Sequence, residues 1–112
     1  MHIPLILTNK GYVQGHCTLK CVKIFIMKEY EKILKALANR RRLEILRYLK
    51  ESKEANVGDI AKHIKLSFKS TSRHLAVLFG SDIVEKEQRN VLVFYSLAPK
   101  FPPIARNIVS FL

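Results

Sequence analysis

Hydroxyl and basic side chains are concentrated at the start of one predicted helix in the second half of the chain. They are Ser67, Lys69, Ser70, Ser72 and Arg73. Hydroxyl and ammonium groups bond phosphate oxygens and base edges, and a guanidinium group can bind guanine through two hydrogen bonds. The other interpretation is a solvated helix with ordinary surface cations, and the pattern by itself leaves both open.

The periodicity of that helix predicts which side faces the core. At about 100° per residue, Thr71, Leu75 and Leu78 point the same way and form the buried face. Lys69 and Arg73 then point outward from the first two turns. Those turns are the part of a recognition helix that enters the DNA major groove.

A hairpin is predicted directly after the helix. Gly80-Ser81-Asp82 ends the helix, since Asp tolerates the left-handed conformation that Gly more often supplies. Residues 83–88 and 91–97 are rich in β-branched and aromatic residues, and Arg89-Asn90 is the predicted turn. A short helix beside a basic hairpin, the wing, predicts a winged helix-turn-helix that binds duplex DNA. The basic and polar side chains at or near the tip of the wing are Lys86, Gln88 and Arg89.

The composition fits a nucleic-acid partner without specifying one. The chain of 112 residues carries 20 Lys and Arg against 9 Asp and Glu, for a formal net charge of +11. Such an excess favours a polyanion, because each phosphate contact releases condensed counterions. Ribosomal, RNA-binding and membrane-surface proteins share this property, so the charge supports duplex DNA only together with the predicted fold.

No segment is convincing as a signal peptide or a membrane span. The apolar run Ile3–Leu7 contains Pro4, and Cys21–Met27 contains Lys23, so both are far shorter than the ~20 residues that cross a bilayer. Two cysteines do not form a disulfide framework for a domain of this size. We expect a cytoplasmic protein with one domain, small enough that a partner chain would add stability.

The pattern changes at Met27. Residues 1–26 contain three lysines, no acidic residue and no helical period, whereas regular apolar spacing begins with the sequence KEYEKILKAL. We therefore expect residues 27–112 to form a DNA-binding domain that ends in a dimerisation helix. Residues 1–26 are either an added N-terminal arm or upstream sequence translated from a start codon that lies too early, and both alternatives stay open.

Three helices are predicted before the recognition helix. The first covers about residues 28–38, and Asn39 is the predicted N-cap of the second. Residues 51–54 form a predicted polar loop, after which Asn56 caps a short third helix, and Ser67 caps the recognition helix. The predicted apolar faces consist of Tyr30, Ile33, Leu34, Leu37 and Ala38 in the first helix, of Leu43, Ile45, Leu46 and Leu49 in the second, and of Val57, Ile60, Ala61 and Ile64 in the third.

The C-terminus predicts one more helix, starting at Pro102-Pro103. Its apolar residues would be a liability on the surface of a monomer, so they favour a dimer interface with the first helix and its symmetry mate. The alternative is that this helix closes the core of its own domain. The residues concerned are Ile104, Ile108, Val109, Phe111 and Leu112.

Three stretches within residues 33–98 carry a resemblance to a known family. They are LKALANRRRLEILRYL, VGDIAKHIKLSFKSTSRHLAVL and IVEKEQRNVLVFYSL. They resemble the second-helix start, the helix-turn-helix and the wing of the ArsR-like (arsenical-resistance-repressor) family of bacterial and archaeal regulators. The resemblance implies a mainly α fold with a small β-hairpin and a homodimer whose paired recognition helices bind a palindromic operator. It also implies a transcriptional regulator, with repression favoured by family precedent.

The usual metal ligands of that family are missing from this sequence. Residues 55–59 lack the Cys-x-Cys of the thiolate sensors, and residues 103–112 lack the His and carboxylate ligands of the zinc sensors. His16, Cys17 and Cys21 could hold a soft metal such as Zn²⁺ or Cu(I) if a fourth ligand joined them. Three close ligands in an irregular segment are more often incidental, so we expect no metal and no other cofactor.

Three ring residues allow more than one interpretation. His63 ends the third helix, where a cation interacts favourably with the helix dipole and needs no ligand role. His74 lies where the family has a His, and the resemblance implies a structural or phosphate-contacting role. Phe68 lies where the family usually has a polar residue, so it either packs under the wing or contacts a thymine methyl group.

Catalysis has little support in the sequence. A Gly-rich phosphate loop, a credible catalytic triad and a pair of carboxylates in a pocket-like context are all missing. The competing function is a winged-helix module that binds protein partners, or nucleic acid without sequence preference. We expect a dimeric regulator that contacts DNA through Phe68, His74 and the polar and basic residues named above in the helix and the wing.

Overall fold

The computed structural model describes residues 7–8, 11–12 and 18–112, with side chains from Val22 onward. The helices of this part of the chain are α1 (Thr18–Leu37), α2 (Arg40–Ser52), α3 (Val57–Ile64), α4 (Phe68–Gly80) and α5 (Pro103–Ser110). The strands are β1 (Leu7–Thr8), β2 (Gly11–Tyr12), β3 (Glu54–Asn56), β4 (Val84–Arg89) and β5 (Leu92–Leu97).

Contacts divide the chain into two units, Met1–Glu31 and Lys32–Leu112. In the first unit β1 and β2 pair antiparallel, with Leu7 opposite Tyr12, and α1 begins. The second unit contains the end of α1 and all later elements. Its order of α3, a short turn, α4 and the β4–β5 hairpin is a winged helix-turn-helix, which confirms the predicted fold class.

One hydrophobic core holds the second unit together. α2 contributes Ile45, Leu46 and Leu49, none of which is more than 1% exposed. The predicted apolar faces of α2, α3 and α4 are confirmed, since these three helices converge on the same cluster. Removal of this apolar area from water is the main stabilising contribution to the fold. The other fully or nearly buried apolar side chains include Ile60, Leu75, Leu78, Ile83, Val84, Ala105 and Val109.

Three predicted N-caps are confirmed by the hydrogen bonds of their side chains. Asn39 Oδ1 accepts from the backbone N–H of Arg41 at 2.9 Å. Asn56 Oδ1 accepts from the N–H of Asp59 at 2.9 Å, and Ser67 Oγ accepts from the N–H of Ser70 at 3.1 Å. Because the first N–H groups of a helix have no partner within it, these bonds determine where α2, α3 and α4 begin.

β3, β5 and β4 form a three-stranded antiparallel sheet in that order. Arg89 pairs with Leu92 at the end of the wing, so its turn consists of Asn90 and Val91. The turn therefore lies one residue later than predicted, and Asn90 has the positive φ, 58°. β3 replaces part of the predicted polar loop because its residues pair with β5. Three residues are too few to show the alternation by which a strand is predicted.

α1 begins at Thr18, well before the predicted start near residue 28, and runs continuously through Met27. The prediction missed this part because Ile24–Met27 is a continuous apolar run without helical period, and all four side chains are exposed. Ile33 and Leu37 of the predicted apolar face are buried, whereas Tyr30, Leu34 and Ala38 are exposed, so the buried face is narrower than predicted. Neither α1 nor any other helix in the described residues is long and apolar enough to cross a membrane.

α5 contributes to the core of its own unit. Ala105 and Val109 are buried there, at 0% and 4% exposure, and Ile104 and Ile108 are half-buried against the same cluster. Phe111 lies just beyond the helix and is 85% exposed. The inner face of α5 thus closes the domain core, while an apolar side chain remains on the outside.

We expect Leu46→Ala to lower the free energy of unfolding by about 2–5 kcal/mol, because truncation of a fully buried leucine leaves a cavity in a packed core. Val91→Ala is the control, since Val91 is 90% exposed and its truncation should change stability by less than about 0.5 kcal/mol. Urea unfolding at one fixed protein concentration measures both. Equal effects of the two substitutions would contradict the assigned core.

Candidate nucleic-acid interface

Side-chain hydrogen bonds of its own first residues stabilise the N-terminus of α4. Besides the Ser67 cap, the hydroxyl of Thr71 donates to the backbone carbonyl of Ser67 at 2.8 Å. Thr71 is fully buried, with Leu75 and Leu78 on the same side of the helix. The predicted inner face of α4 is therefore confirmed, and its direction determines which residues point outward.

The outward face of α4 carries positive charge without a carboxylate partner. Lys69 and Arg73 are exposed, and Ser70 and Ser72 beside them are half-buried. Among the residues with described side chains, none forms an ion pair or a hydrogen bond with the Lys69 ammonium or the Arg73 guanidinium. α4 contains no acidic residue. These two cations are thus available to an external anion.

The turn between α3 and α4 adds a cation that sequence reasoning missed. The side chain of Lys65 is exposed, and its backbone, with φ 57°, has the left-handed conformation that ends α3. Its N–H donates to the carbonyls of Ala61 and Lys62, and the N–H of Leu66 donates to Ala61 at 3.0 Å. A basic residue directly before the Leu66-Ser67 start of the recognition helix was the available indication. The turn presents Lys65 at the N-terminal end of α4.

Arg41 and Arg42, two of the three successive arginines at the start of α2, support neighbouring helices rather than lying free on the surface. Arg41 Nη1 donates to the carbonyl of Ile64 at 2.7 Å, at the end of α3, and forms an ion pair with Glu44 at 3.2 Å. Arg42 Nη1 donates to the carbonyls of Lys35 and Ala36 at 3.1 and 3.2 Å. The last carbonyls of a helix have no partner within it, so both guanidinium groups satisfy otherwise open acceptors.

Arg42 also connects to α4 through His74. Arg42 Nε donates to His74 Nδ1 at 3.3 Å, and the imidazole is half-buried. Burial, followed by the charges of Arg42 and Arg41, lowers the pKa of His74 below its ordinary value. His74 accepts this bond as a neutral ring, which gives it a structural contact within the domain. Its predicted contact with DNA stays a prediction.

The wing is held by an ion-pair network centred on Arg89. Its guanidinium bonds both carboxylate oxygens of Glu54 on β3, at 2.7 and 2.8 Å, and Oε1 of Glu87 at 2.7 Å. It also lies 4.8 Å from the ring centre of Phe94 on the intervening strand. The hydrogen bond from Arg89 lowers the pKa of Glu54, and the carboxylates raise the pKa of Arg89. The charge of Arg89 is therefore already compensated within the protein.

The remaining wing residues carry little net charge. Residues 84–97 contain two acidic and two basic side chains, so their formal charges cancel. Lys86 Nζ lies 4.6 Å from the ring centre of Phe79 in α4, and Gln88 Nε2 donates to the carbonyl of Asn90 at 3.3 Å. At the tip Val91 is 90% exposed. The wing is thus a neutral hairpin with an apolar tip rather than the basic hairpin that the sequence suggested.

A groove of about 360 Å³ separates the start of α4 from the wing. Phe68, the first residue of α4, lies on its edge and is 63% exposed. Two of its lining residues, Phe68 and Ser72, directly precede the outward cations Lys69 and Arg73 in the sequence of α4. Its other lining residues are Asn56, Val57, Gly58, Ser72, Val91, Leu92, Val93 and Tyr95.

Metal ligands do not cluster in the part of the chain whose side chains are described, where no group of three His, Cys, Asp or Glu residues could hold an ion. His16 and Cys17, two of the three ligand candidates named from the sequence, lie outside the described residues. The side chain of Cys21, the third, lies outside them as well.

Comparison with known proteins points to one family. The family model described as bacterial regulatory protein, arsR family, matches residues 39–86. The transcriptional activator HlyU of Vibrio cholerae is 39% identical over 66 residues, which cover 59% of this chain and 60% of HlyU. The transcriptional repressor SdpR of Bacillus subtilis is 32% identical over 65 residues, 58% of this chain and 71% of SdpR.

Solved structures agree with the sequence matches. Reduced HlyU from Vibrio cholerae superposes with a TM-score of 0.68 at 30% identity, covering 80% of this chain and 90% of that chain. A second structure is the homodimeric winged helix-turn-helix DNA-binding domain of a possible ArsR-family regulator from Mycobacterium bovis. It superposes with a TM-score of 0.70 at 24% identity, covering 88% of this chain and 82% of that chain. The relatives compared are regulators of transcription, not enzymes.

We expect His74→Asn to reduce the loss of stability on acidification. Because the pKa of His74 is lowered in the folded state, the imidazole is protonated more readily in the unfolded chain. The contribution of His74 to the free energy of unfolding is therefore fully present above pH about 6.5 and is lost as the pH falls below that value. The asparagine amide oxygen keeps an acceptor for Arg42 but takes up no proton. Urea unfolding between pH 5 and 8, values chosen about that midpoint, measures the difference.

The comparison at pH 8 is the internal control, because there the wild-type imidazole is neutral in both states. A variant that loses stability below pH about 6.5 as steeply as the wild type would contradict the role assigned to His74.

Proposed function

Because the chain belongs to the ArsR family of bacterial regulatory proteins, we propose that it represses transcription by binding a palindromic operator as a homodimer. The observation that carries the proposal is the outward face of α4, where Lys69 and Arg73 are exposed and have no carboxylate partner among the described residues. The chain spans 60% of the length of HlyU, so operator, partner copy and sign of regulation are all part of this proposal. A regulator of this kind acts in the cytoplasm and catalyses no reaction.

In the proposed complex α4 lies in the major groove of duplex DNA. A single helix fits this groove, and the N-terminal residues of a recognition helix contact the base edges. Lys69, Ser70 and Arg73 then face the bases or the adjacent phosphates, with Ser67 and Ser72 beside them. Lys65 in the preceding turn reaches the phosphate backbone.

In this complex the wing contributes shape more than charge. Lys86 and Gln88 are the wing residues that we propose to meet the flanking backbone. Arg89, predicted to contact DNA, has its charge compensated by Glu54 and Glu87. We therefore assign Arg89 the role of positioning the wing against β3, since its guanidinium already bonds carboxylates on β3 and β4.

One apolar surface and one further apolar side chain support assembly of two copies. The surface lies on α1, where Ile24–Met27 and Tyr30 are 40–67% exposed. The side chain is that of Phe111 after α5, at 85% exposure. Contiguous exposed apolar residues mark interaction surfaces, and most homo-oligomers are two-fold dimers in which the same surface is used twice. A dimer also explains how one short recognition helix per chain can specify an operator, because two helices act together.

The sign of regulation follows from where the operator lies relative to the promoter. HlyU is named as an activator and SdpR as a repressor, although both resemble this chain. We propose repression because two relatives from Bacillus subtilis, SdpR and the arsenical resistance operon repressor, are named as repressors. Binding of such a domain over a promoter excludes polymerase without any additional contact.

We expect selection from random duplex DNA by the full chain to enrich an inverted repeat with half-sites about one helical turn apart. The physical reason is that two α4 helices related by a two-fold axis meet the major groove on one side of the duplex. Sedimentation of the protein alone, at the concentration used for selection, is the companion measurement and should give a dimer. Binding at low salt without an enriched motif would instead support a module without sequence preference.

We expect Arg73→Ala to weaken binding to the selected site by about 1–3 kcal/mol and to relax one base position or lower the salt slope by about one. Lys100→Ala is the control, since it removes one exposed positive charge outside α4 and the wing and should leave the salt slope unchanged. Fluorescence anisotropy at several salt concentrations measures both. A lower slope for Lys100→Ala with no change for Arg73→Ala would contradict the assignment of α4 as the DNA-contacting helix.

A further inference from the structure

We propose that Phe68 is a specificity-determining residue that contacts the 5-methyl group of a thymine in each operator half-site. The inference rests on the proposed function, because it needs α4 to lie in the major groove. It goes beyond that function by naming the base, and the group on the base, that the first turn of α4 recognises.

The domain leaves most of the Phe68 ring uncovered and therefore accessible to an external partner. The apolar residues on the inner face of α4, Leu75 and Leu78, are fully buried, whereas Phe68 is 63% exposed at the outer start of the helix. The sequence left two interpretations, packing under the wing or contact with DNA. The phenyl ring lies on the edge of the groove between α4 and the wing, and the wing leaves most of it uncovered.

The neighbours of Phe68 place it at the base edges. Lys69 and Ser70 follow it directly, and Ser67 before it caps the helix, so all four residues belong to the turn that enters the groove. A phenyl ring has no hydrogen-bonding group, so it gains nothing opposite the polar edge of guanine, adenine or cytosine. The thymine methyl group is the one apolar group that the four bases display in the major groove.

Apolar side chains of the wing lie in the same groove as the Phe68 ring. Leu92, 47% exposed, and Val91 line the groove opposite Phe68. A methyl group that enters from the duplex would therefore lose water on more than one side. Burial of one methyl group corresponds to about a four-fold change in affinity.

The test replaces thymine by deoxyuridine, which differs only by the missing methyl group. The duplex is the site selected by the full chain, and each thymine is replaced in turn. We expect one thymine position per half-site at which replacement by deoxyuridine weakens binding of the wild-type protein about four-fold. Replacement in both half-sites should weaken binding about fifteen-fold. Phe68→Ala should bind the thymine and deoxyuridine duplexes equally at that position.

Two further variants keep the inference testable. Phe68→Leu retains an apolar side chain and should keep most of the sensitivity to the methyl group. Phe79→Ala removes the same residue type from the other end of α4, where the ring contacts Lys86, and should keep all of it. Circular dichroism establishes that each variant is folded.

Failure of this inference can be separated from failure of the proposed function. If no motif is enriched, the proposed function fails. If a motif is enriched but every deoxyuridine duplex binds like its thymine parent, Phe68 does not contact a methyl group and the function stands. Equal sensitivity of the wild type and Phe68→Ala would likewise overturn the role of Phe68.

Discussion

The orientation of the recognition helix depends on guanidinium groups that satisfy the carbonyls at the ends of its neighbours. Arg42 donates to Lys35 and Ala36 at the end of α1 and to His74 in α4, and Arg41 donates to Ile64 at the end of α3. Helix ends leave their last carbonyls without partners, and a half-buried open acceptor costs free energy. Two adjacent side chains of α2 thereby connect α1, α3 and α4, so the direction in which α4 points is a property of the whole domain.

The positive charges of the domain are of two kinds, those that bond acceptors inside the protein and those that do not. Arg41, Arg42 and Arg89 bond acceptors within the domain, whereas Lys69 and Arg73 bond none of the side chains described from Val22 onward. A formal net charge of +11 therefore overstates what the interface offers a polyanion. Exposed charges far apart are screened from each other at physiological salt, so the local cations around the start of α4 matter more than the total. Affinity for the phosphate backbone should accordingly come from the helix and its turn, with little from the wing.

The sequence predicted those features that depend on a few neighbouring residues. The caps at Asn39, Asn56 and Ser67 and the buried faces of α2, α3 and α4 follow from local patterns, and the structure confirms them. Local sequence patterns could not predict features that depend on a residue far away in the chain. β3 exists because β5 pairs with it, and the Arg89–Glu54 ion pair joins residues 35 positions apart. The early start of α1 was missed for another reason, since Ile24–Met27 has no polar side to mark a period.

Attraction to the phosphate backbone and selection of a base sequence place different demands on such a surface. Every phosphate is alike, so in the proposed complex a cation that contacts only phosphate, as Lys65 does, holds the domain on any duplex but cannot by itself select a sequence. The wing, with no net formal charge and an exposed valine at its tip, adds no further attraction of that kind. Discrimination then depends on groups that differ between bases, which are hydrogen-bonding edges and a single methyl group. In the proposed complex Arg73 distinguishes the former and the exposed phenyl ring of Phe68 suits the latter, so the sequence preference comes from one charged and one uncharged residue of α4.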